Sequence, residues 1–203
     1  MSYLEGIDVS SYQGAFNWQP WKGHISFAAA KVIEGTAEDP DFAHNWAGMA
    51  EIGIYRFAYA FAHPSLNVYD QVDALASVVT ANGLKTGDNI LLDMEVTDGL
   101  DPAEVSAFGQ EYCEQVNIKL PHHRCVVYTY PFFAELGNCA GMNRWWLWIA
   151  NYGVPQPFVP APWQTWVFWQ YTNQGPGNID HDRFYGTPEQ LQTFCTTAGP
   201  YTR

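Results

Sequence analysis

The chain has 203 residues, enough for one sizeable core without a second domain, and its composition, 47% apolar and 16% aromatic with only 15% charged, excludes a disordered chain. Nine Lys and Arg against 21 Asp and Glu give a net charge of −12, a field that repels phosphate backbones and anionic headgroups and so argues against nucleic-acid and membrane partners. No stretch reaches the roughly 20 apolar residues of a membrane span, and the opening MSYLEGIDVS lacks the basic and apolar regions of a secretory signal.

Strand-like and helix-like patterns alternate along the chain, as in a parallel sheet wrapped by helices. GIDVS (6–10) and SFAAAKVIEG (26–35) read as strands. Asp39 and Pro40 then read as N-cap and first residue of a helix carrying Phe42, Trp46 and Met49 on one face and ending at Gly53. IGIYRFAYAFA (52–62) is the third strand. A helix over 66–82 follows, with Val68, Val72, Leu75 and Val79 on one side and Gly83 after it. NILLDMEV (89–96) is the fourth strand, and Asp101, Pro102 and Glu104 form a capping box that opens a helix burying Val105, Phe108 and Tyr112.

RCVVYTY (124–130), WWLWIANY (145–152), TWVFWQYT (165–172) and a brief run near Ile179 complete eight strand candidates, which suggest a closed barrel. Between the last of these the helical signal fades, and VPQPFVPAPW (154–163), with four prolines, is neither a helix interior nor a central strand. A final helix is expected from Thr187 as cap through Pro188, with Leu191 and Phe194 facing inward. The fold class is therefore α/β, a single barrel domain over 1–203.

Cys113, Cys125, Cys139 and Cys195 contain no C-x-x-C pair, so zinc binding through sulfur is not expected. Three disulfide pairings remain open, as do buried free thiols.

The chemistry lies in the acids. In an extended chain alternate side chains share a face, so Asp93 and Glu95 point the same way from the end of the fourth strand. Asp8 lies in the first strand, Glu34 at the end of the second and Asp180 near the last, and in parallel barrels the carboxyl ends of the strands converge on one mouth. Glu34 alone could simply cap a helix. Clustered carboxyls cannot all ionise in a sheltered site, so at least one keeps its proton and can act as a general acid. Hydrolysis of a glycosidic bond needs such a donor, together with a group that stabilises the oxocarbenium-like centre. Tyr12, Tyr59, Tyr128, Tyr152 and Trp169 are candidate platforms for sugar rings. A competing chemistry is a divalent cation held by the same oxygens, with Asp180, His181 and Asp182 of IDHDRF added. No nucleophile elbow is present, which removes acyl transfer.

GIDVSSYQG (6–14), KVIEGT (31–36), DPDFAHNW (39–46), YAFAHP (59–64), LLDMEVTDG (91–99), LWIANYG (147–153), WQYT (169–172) and IDHDRF (179–184) together resemble glycoside hydrolase family 25, the Chalaropsis-type lysozymes. The resemblance runs in order over nearly the whole chain. It implies an irregular, flattened TIM-like barrel of about five βα units followed by three further strands. It also implies cleavage of the β-1,4 bond between N-acetylmuramic acid and N-acetylglucosamine in peptidoglycan, with retention and with the substrate's own 2-acetamido group assisting; a covalent glycosyl-enzyme is the other route. Carried over by motif, Glu95 is the proton donor, Asp93 steers the acetamido group, and Asp8 and Asp180 line the same pocket. Glu34, Tyr59, Phe61 and the aromatic residues named above would contact substrate.

Two positions depart from the family pattern. Ala60 stands where Y-H-F-A usually has His, which implies a polar contact near the pocket that is missing or supplied from elsewhere, and Asp182 replaces the Asn of a closing D-x-N, an extra acid that either raises the proton affinity of its neighbours or faces solvent. The resemblance implies bacterial glycan strands as the partner, no metal or other cofactor, and a monomer acting on the cell wall as a phage lysin or processed secreted domain. A barrel that binds carbohydrate without turnover and a chitinase-like glycosidase are the alternatives, although the D-G-x-D run of the latter is absent. The charge of −12 against an anionic wall predicts activity that rises with moderate salt.

Overall fold

Residues 3–175 and 178–197 are described by the structure, a computed structural model; the two ends of the 1–203 span lie outside them. The strands are β1 (Tyr3–Val9), β2 (Phe27–Glu34), β3 (Ala37–Glu38), β4 (Tyr55–Phe61), β5 (Asn89–Asp93), β6 (Cys125–Thr129), β7 (Trp146–Ala150), β8 (Phe168–Gly175) and β9 (Ile179–Tyr185). They are ordered β1-β9-β8-β7-β6-β5-β4-β2-β3, and a further pairing of β1 with β2 closes eight of them into a barrel with β3 outside it. Seven barrel strands run parallel, whereas β9 is antiparallel to both of its neighbours, β8 and β1. The short β3 went unforeseen; its two residues are exposed and carry no alternation.

Three helices cover the early strands: α1 (Phe42–Ile52), α2 (Val68–Ala81) and α3 (Pro102–Lys119). The expected capping box of α3 forms, with Asp101 Oδ1 accepting from the Glu104 N–H at 2.9 Å and Glu104 accepting from the Asp101 N–H at 3.0 Å. The start of α1 differs from expectation. Its N-cap is Asp41, while the buried Asp39 accepts backbone N–H groups from Ser11 and Asp41 at 3.1 and 3.0 Å, tying the first strand's exit to this loop. Between β6 and β7 only short helical turns appear, among them α4 (Pro131–Phe133), and the proline-rich stretch between β7 and β8 is irregular, as its composition requires. Among the described residues no helix is long and apolar enough to cross a membrane.

Alternation along the strands gives the barrel two apolar layers. Outward residues such as Ala58, Ala60, Leu92 and Val127 pack under the helices. Inward residues fill the lumen, where Phe27, Phe57, Trp148 and Phe168 meet edge to face at 5.1 to 6.3 Å, with Trp148 stacked on Phe168 at 4.5 Å. Gly6 makes room for this layer, since a Cβ there would lie 2.4 Å from the Phe27 ring. The last helix, α5 (Pro188–Thr196), closes the lower end of the lumen: Phe194 packs on Trp146 and Phe168, and the Phe194 carbonyl accepts from Arg124 Nε at 2.7 Å. The lumen is thus plugged at one end and packed in the middle, which leaves the mouth at the carboxyl ends of the parallel strands open.

All four cysteines are buried free thiols, and the Cys113 and Cys125 sulfurs lie 3.5 Å apart.

Candidate active site

Each acid reaches the mouth through the pleat of its own strand. Asp8 follows Gly6 on the inward face of β1, and Asp93 follows Leu91 on β5. Beyond Asp93 the chain stays extended long enough for the Met94 N–H to bond the Tyr128 carbonyl at 2.9 Å, so Met94 points into the outer layer and Glu95 back over the mouth. Because β9 runs the other way, its beginning lies at the mouth: Asp180 is paired with Asp8, and Asp182 lies one step deeper between Gly6 and Gln170.

A cavity of about 260 Å³ opens there, lined by Asp8, Asp93, Glu95 and Asp180 together with Tyr12, Lys31, Glu34, Tyr59, Phe61, Tyr128 and Gln170, over a floor of Leu91 and Trp148. It continues on one side into a cleft past Tyr12, Glu34, Asp39, His63 and Leu66, and on the other into one formed by Glu95, Tyr130, Phe132, Asn151 and Tyr152. Glu95 belongs to the cavity and to the second cleft, so the acid sits midway along a groove that crosses the barrel mouth.

Crowding and burial shape the charges. Burial, then the Asp180 carboxylate, pushes Asp8 up to about 7, and burial pushes Asp180 up to about 6. Asp93 is held well above the usual carboxylate range by burial and then by Glu95 and Asp8, with Lys31 working against them; its Oδ1 is enclosed and receives no hydrogen bond from the described residues. Glu95 is raised by burial and by Asp180, with the Tyr128 hydroxyl opposing. The pocket is therefore one of carboxylic acids that release their protons late, and Glu95, which borders both the cavity and the adjoining cleft, is placed to donate one.

Gln170 organises one wall. Its carbonyl oxygen accepts from the hydroxyls of Tyr128, at 2.9 Å, and Tyr152, which turns its amide N–H toward Asp8 Oδ2 at 2.7 Å. On the opposite rim Lys31 pairs with Glu34, keeps that carboxyl below its usual range, and lies 5.3 Å from the Phe61 ring centre. His63 Nδ1 meets Asp98 at 3.1 Å.

Most of the expected site residues meet in this cavity: Asp8, Asp93, Glu95, Asp180, Tyr12, Glu34, Tyr59, Phe61 and Tyr128, with Tyr152 in the adjoining cleft. Trp169 is a correction. It is 2% exposed, packs beside Trp166 and Tyr171, and donates its ring N–H to the Asn151 carbonyl at 2.8 Å, so it offers no face to a sugar. The proposed cation set is another, because alternation splits it: Asp180 and Asp182 face the lumen, while His181 lies outside against Trp21 and Tyr171. Among the described residues no three His, Cys, Asp or Glu side chains are grouped to hold a metal ion. Ala60 is a third, since its side chain sits in the outer apolar layer and not at the pocket. Lys31, Trp148 and Gln170 were not foreseen. Gln170 neighbours Trp169, and period-two reasoning says only that one of the two faces inward.

A family model described as glycosyl hydrolases family 25 matches residues 7–178. The chain is 31% identical to lysozyme M1 of Streptomyces globisporus over 94% of its own length and 70% of that protein's. It is 24% identical to an N,O-diacetylmuramidase of Arthroderma benhamiae over 95% of its length and 86% of the relative's. The crystal structure of a bacterial lysozyme from Streptomyces coelicolor superposes with a TM-score of 0.86 at 30% identity, covering 97% of this chain and 98% of that one.

Proposed function

Since the chain belongs to glycosyl hydrolase family 25 and is a peptidoglycan hydrolase of the muramidase type, we propose that a glycan strand lies along the groove with its scissile bond over Glu95. The observation that carries this reading is the meeting of Asp8, Asp93, Glu95 and Asp180, from three strands, in one cavity at the midpoint of that groove. The Glu95 carboxylic acid protonates the glycosidic oxygen as the bond from it to the anomeric carbon breaks. The carbonyl oxygen of the substrate's 2-acetamido group then closes on the anomeric carbon from the other face, giving a cyclic oxazolinium ion. Asp93, whose side chain lines the cavity, accepts the acetamido N–H and holds it in the attacking orientation. Asp8 and Asp180 offer negative charge to the developing cation. Water, deprotonated by the Glu95 carboxylate, opens the ring and restores both the acetamido group and the acid, with retention at the anomeric carbon.

Tyr130, Phe132 and Tyr152 supply aromatic contacts on one arm of the groove, and Tyr12, 89% exposed, supplies one on the other. On this reading the partner is the bacterial glycan strand, and the chain works as a monomer without cofactor.

The test is Glu95→Gln on purified peptidoglycan, with products identified by mass spectrometry. Loss of a general acid lowers the rate about 10²- to 10⁴-fold. Retention of more than about a hundredth of the activity, or products cut at any other bond, removes Glu95 from that role.

A further inference from the structure

Asp182 takes no part in the reaction drawn above, yet it is the most enclosed of the acids. It is 0% exposed. Its Oδ1 accepts the Trp148 ring N–H at 2.8 Å, while Oδ2, also enclosed, is reached by no N–H or O–H donor among the described residues. The neighbouring polar side chain is another carboxyl: Asp182 and Asp8 lie side chain to side chain within hydrogen-bonding reach. Two carboxylate oxygens cannot form that contact as anions, because neither has a hydrogen to give and burial magnifies their repulsion. One proton must lie between them.

We propose that Asp182 is a positioning residue of this site: a neutral carboxylic acid whose O–H donates to the Asp8 carboxylate and, with the Gln170 amide, fixes the place and charge of Asp8. Asp8 borders the open cavity, where water and substrate can solvate its charge, whereas Asp182 lies beneath it with no opening. The groups facing the pair agree. Asp180 acts on both from β9, Glu95 acts on Asp8 from beyond β5, and Tyr59 faces Asp8 from β4. β7 and β8 present the neutral Trp148 and Gln170, and the Lys31 ammonium on β2 opposes the charge of Asp93. Asp182 is accordingly held well above the carboxylate range, by burial first and Asp8 second, while Asp8 stands at about 7.

The inference rests on the reading that Asp8 serves the reaction, and the variants separate the two. In Asp182→Asn the amide carbonyl can accept from Trp148 and the amide N–H can donate to Asp8, so a neutral donor survives and a charge is impossible. Its kcat/KM is expected within about threefold of the parent, with the same pH profile. Asp182→Ala removes the donor, makes the Asp8 anion harder to form, and should move the acid limb of kcat/KM upward by about one pH unit. Infrared spectroscopy reads the proton without reference to activity: the carbonyl band of a protonated carboxylic acid should persist from pH 5 to 8 and vanish in Asp182→Asn. Loss instead of a carboxylate band in that variant overturns the neutral state. A drop of more than about a hundredfold in Asp182→Asn at unchanged melting temperature also overturns it, by showing that an ionisable group is required. An Asp182→Ala profile identical to the parent's overturns the positioning role, whereas failure of the Glu95→Gln test alone would strike the reaction scheme and leave the infrared result standing.

Discussion

Asp8 is ionised at a cost to the fold, and the cost can be released. Its carboxyl moves from an ordinary 3.8 to about 7 on folding, through burial and through Asp180. Below 3.8 both folded and unfolded chains hold the proton, and the group contributes nothing. Between 3.8 and about 7 the unfolded chain gives the proton up while the folded chain retains it, so stability falls as pH rises; above 7 the loss is complete. At 1.36 kcal/mol per pH unit the full penalty is about 4 kcal/mol. Because the repulsion is shared with Asp180, replacing Asp8 by Asn should release about half of it, roughly 2 kcal/mol at pH 8. For a chain of this size that is a rise of about 4 to 8 °C in melting temperature, accompanied by loss of activity. Thermal unfolding followed by circular dichroism at pH 8 and near pH 4 measures it, with the two proteins expected to melt together at the lower pH. An Asp8→Asn variant that melts below the parent at pH 8, or that differs from it equally at both pH values, would refute the reasoning.

The aromatic layer of the lumen should dominate stability: Phe168→Ala, at a site with no exposure and five aromatic neighbours, is expected to cost about 3 to 5 kcal/mol in denaturant unfolding. The four thiols, all buried and with Cys139 pushed up to about 12, should stay unreactive toward a disulfide reagent until denaturant is added; prompt labelling of the native protein would contradict their packing. Turbidity clearing of cell walls should quicken from low to moderate salt as the repulsion between a chain of charge −12 and an anionic wall is screened, and a steady decline would count against that picture. Tyr152→Phe removes one of two donors that orient the Gln170 amide and should lower kcat/KM by about 5- to 10-fold, measured on soluble glycan fragments.

Much of this arrangement could be read before any coordinates. The two-residue step from Asp93 to Glu95 is a property of extended backbone, and the Asp101 to Glu104 box and the Thr187 cap are local chemistry that no tertiary contact has to rescue. Trp169 marks where such reading stops. Alternation shows that Trp169 and Gln170 oppose each other, but the inward choice depends on how β8 pairs with β7 and β9, and the β8 to β9 register shifts immediately after Gln170. Ala60 fails for the same reason: a motif letter carries no face, and only the closed sheet sends Tyr59 and Phe61 inward and Ala60 out. The start of α1 was misplaced because Asp39 spends its side chain on the Ser11 and Asp41 amides, and the Ser11 contact is 28 residues distant.

The reversed direction of β9 also has a meaning in time. Since the final strand is the one wedged between the first and its neighbour, a growing chain holds every parallel strand of the barrel before it can seal the seam, and Asp180 comes to Asp8 only with that seal. Ends so far apart in the chain are slow to find each other. A polypeptide cut short before β9 would expose a bare sheet edge on β1 and lack two of the acids that crowd Asp8, leaving it inert toward any wall it touched.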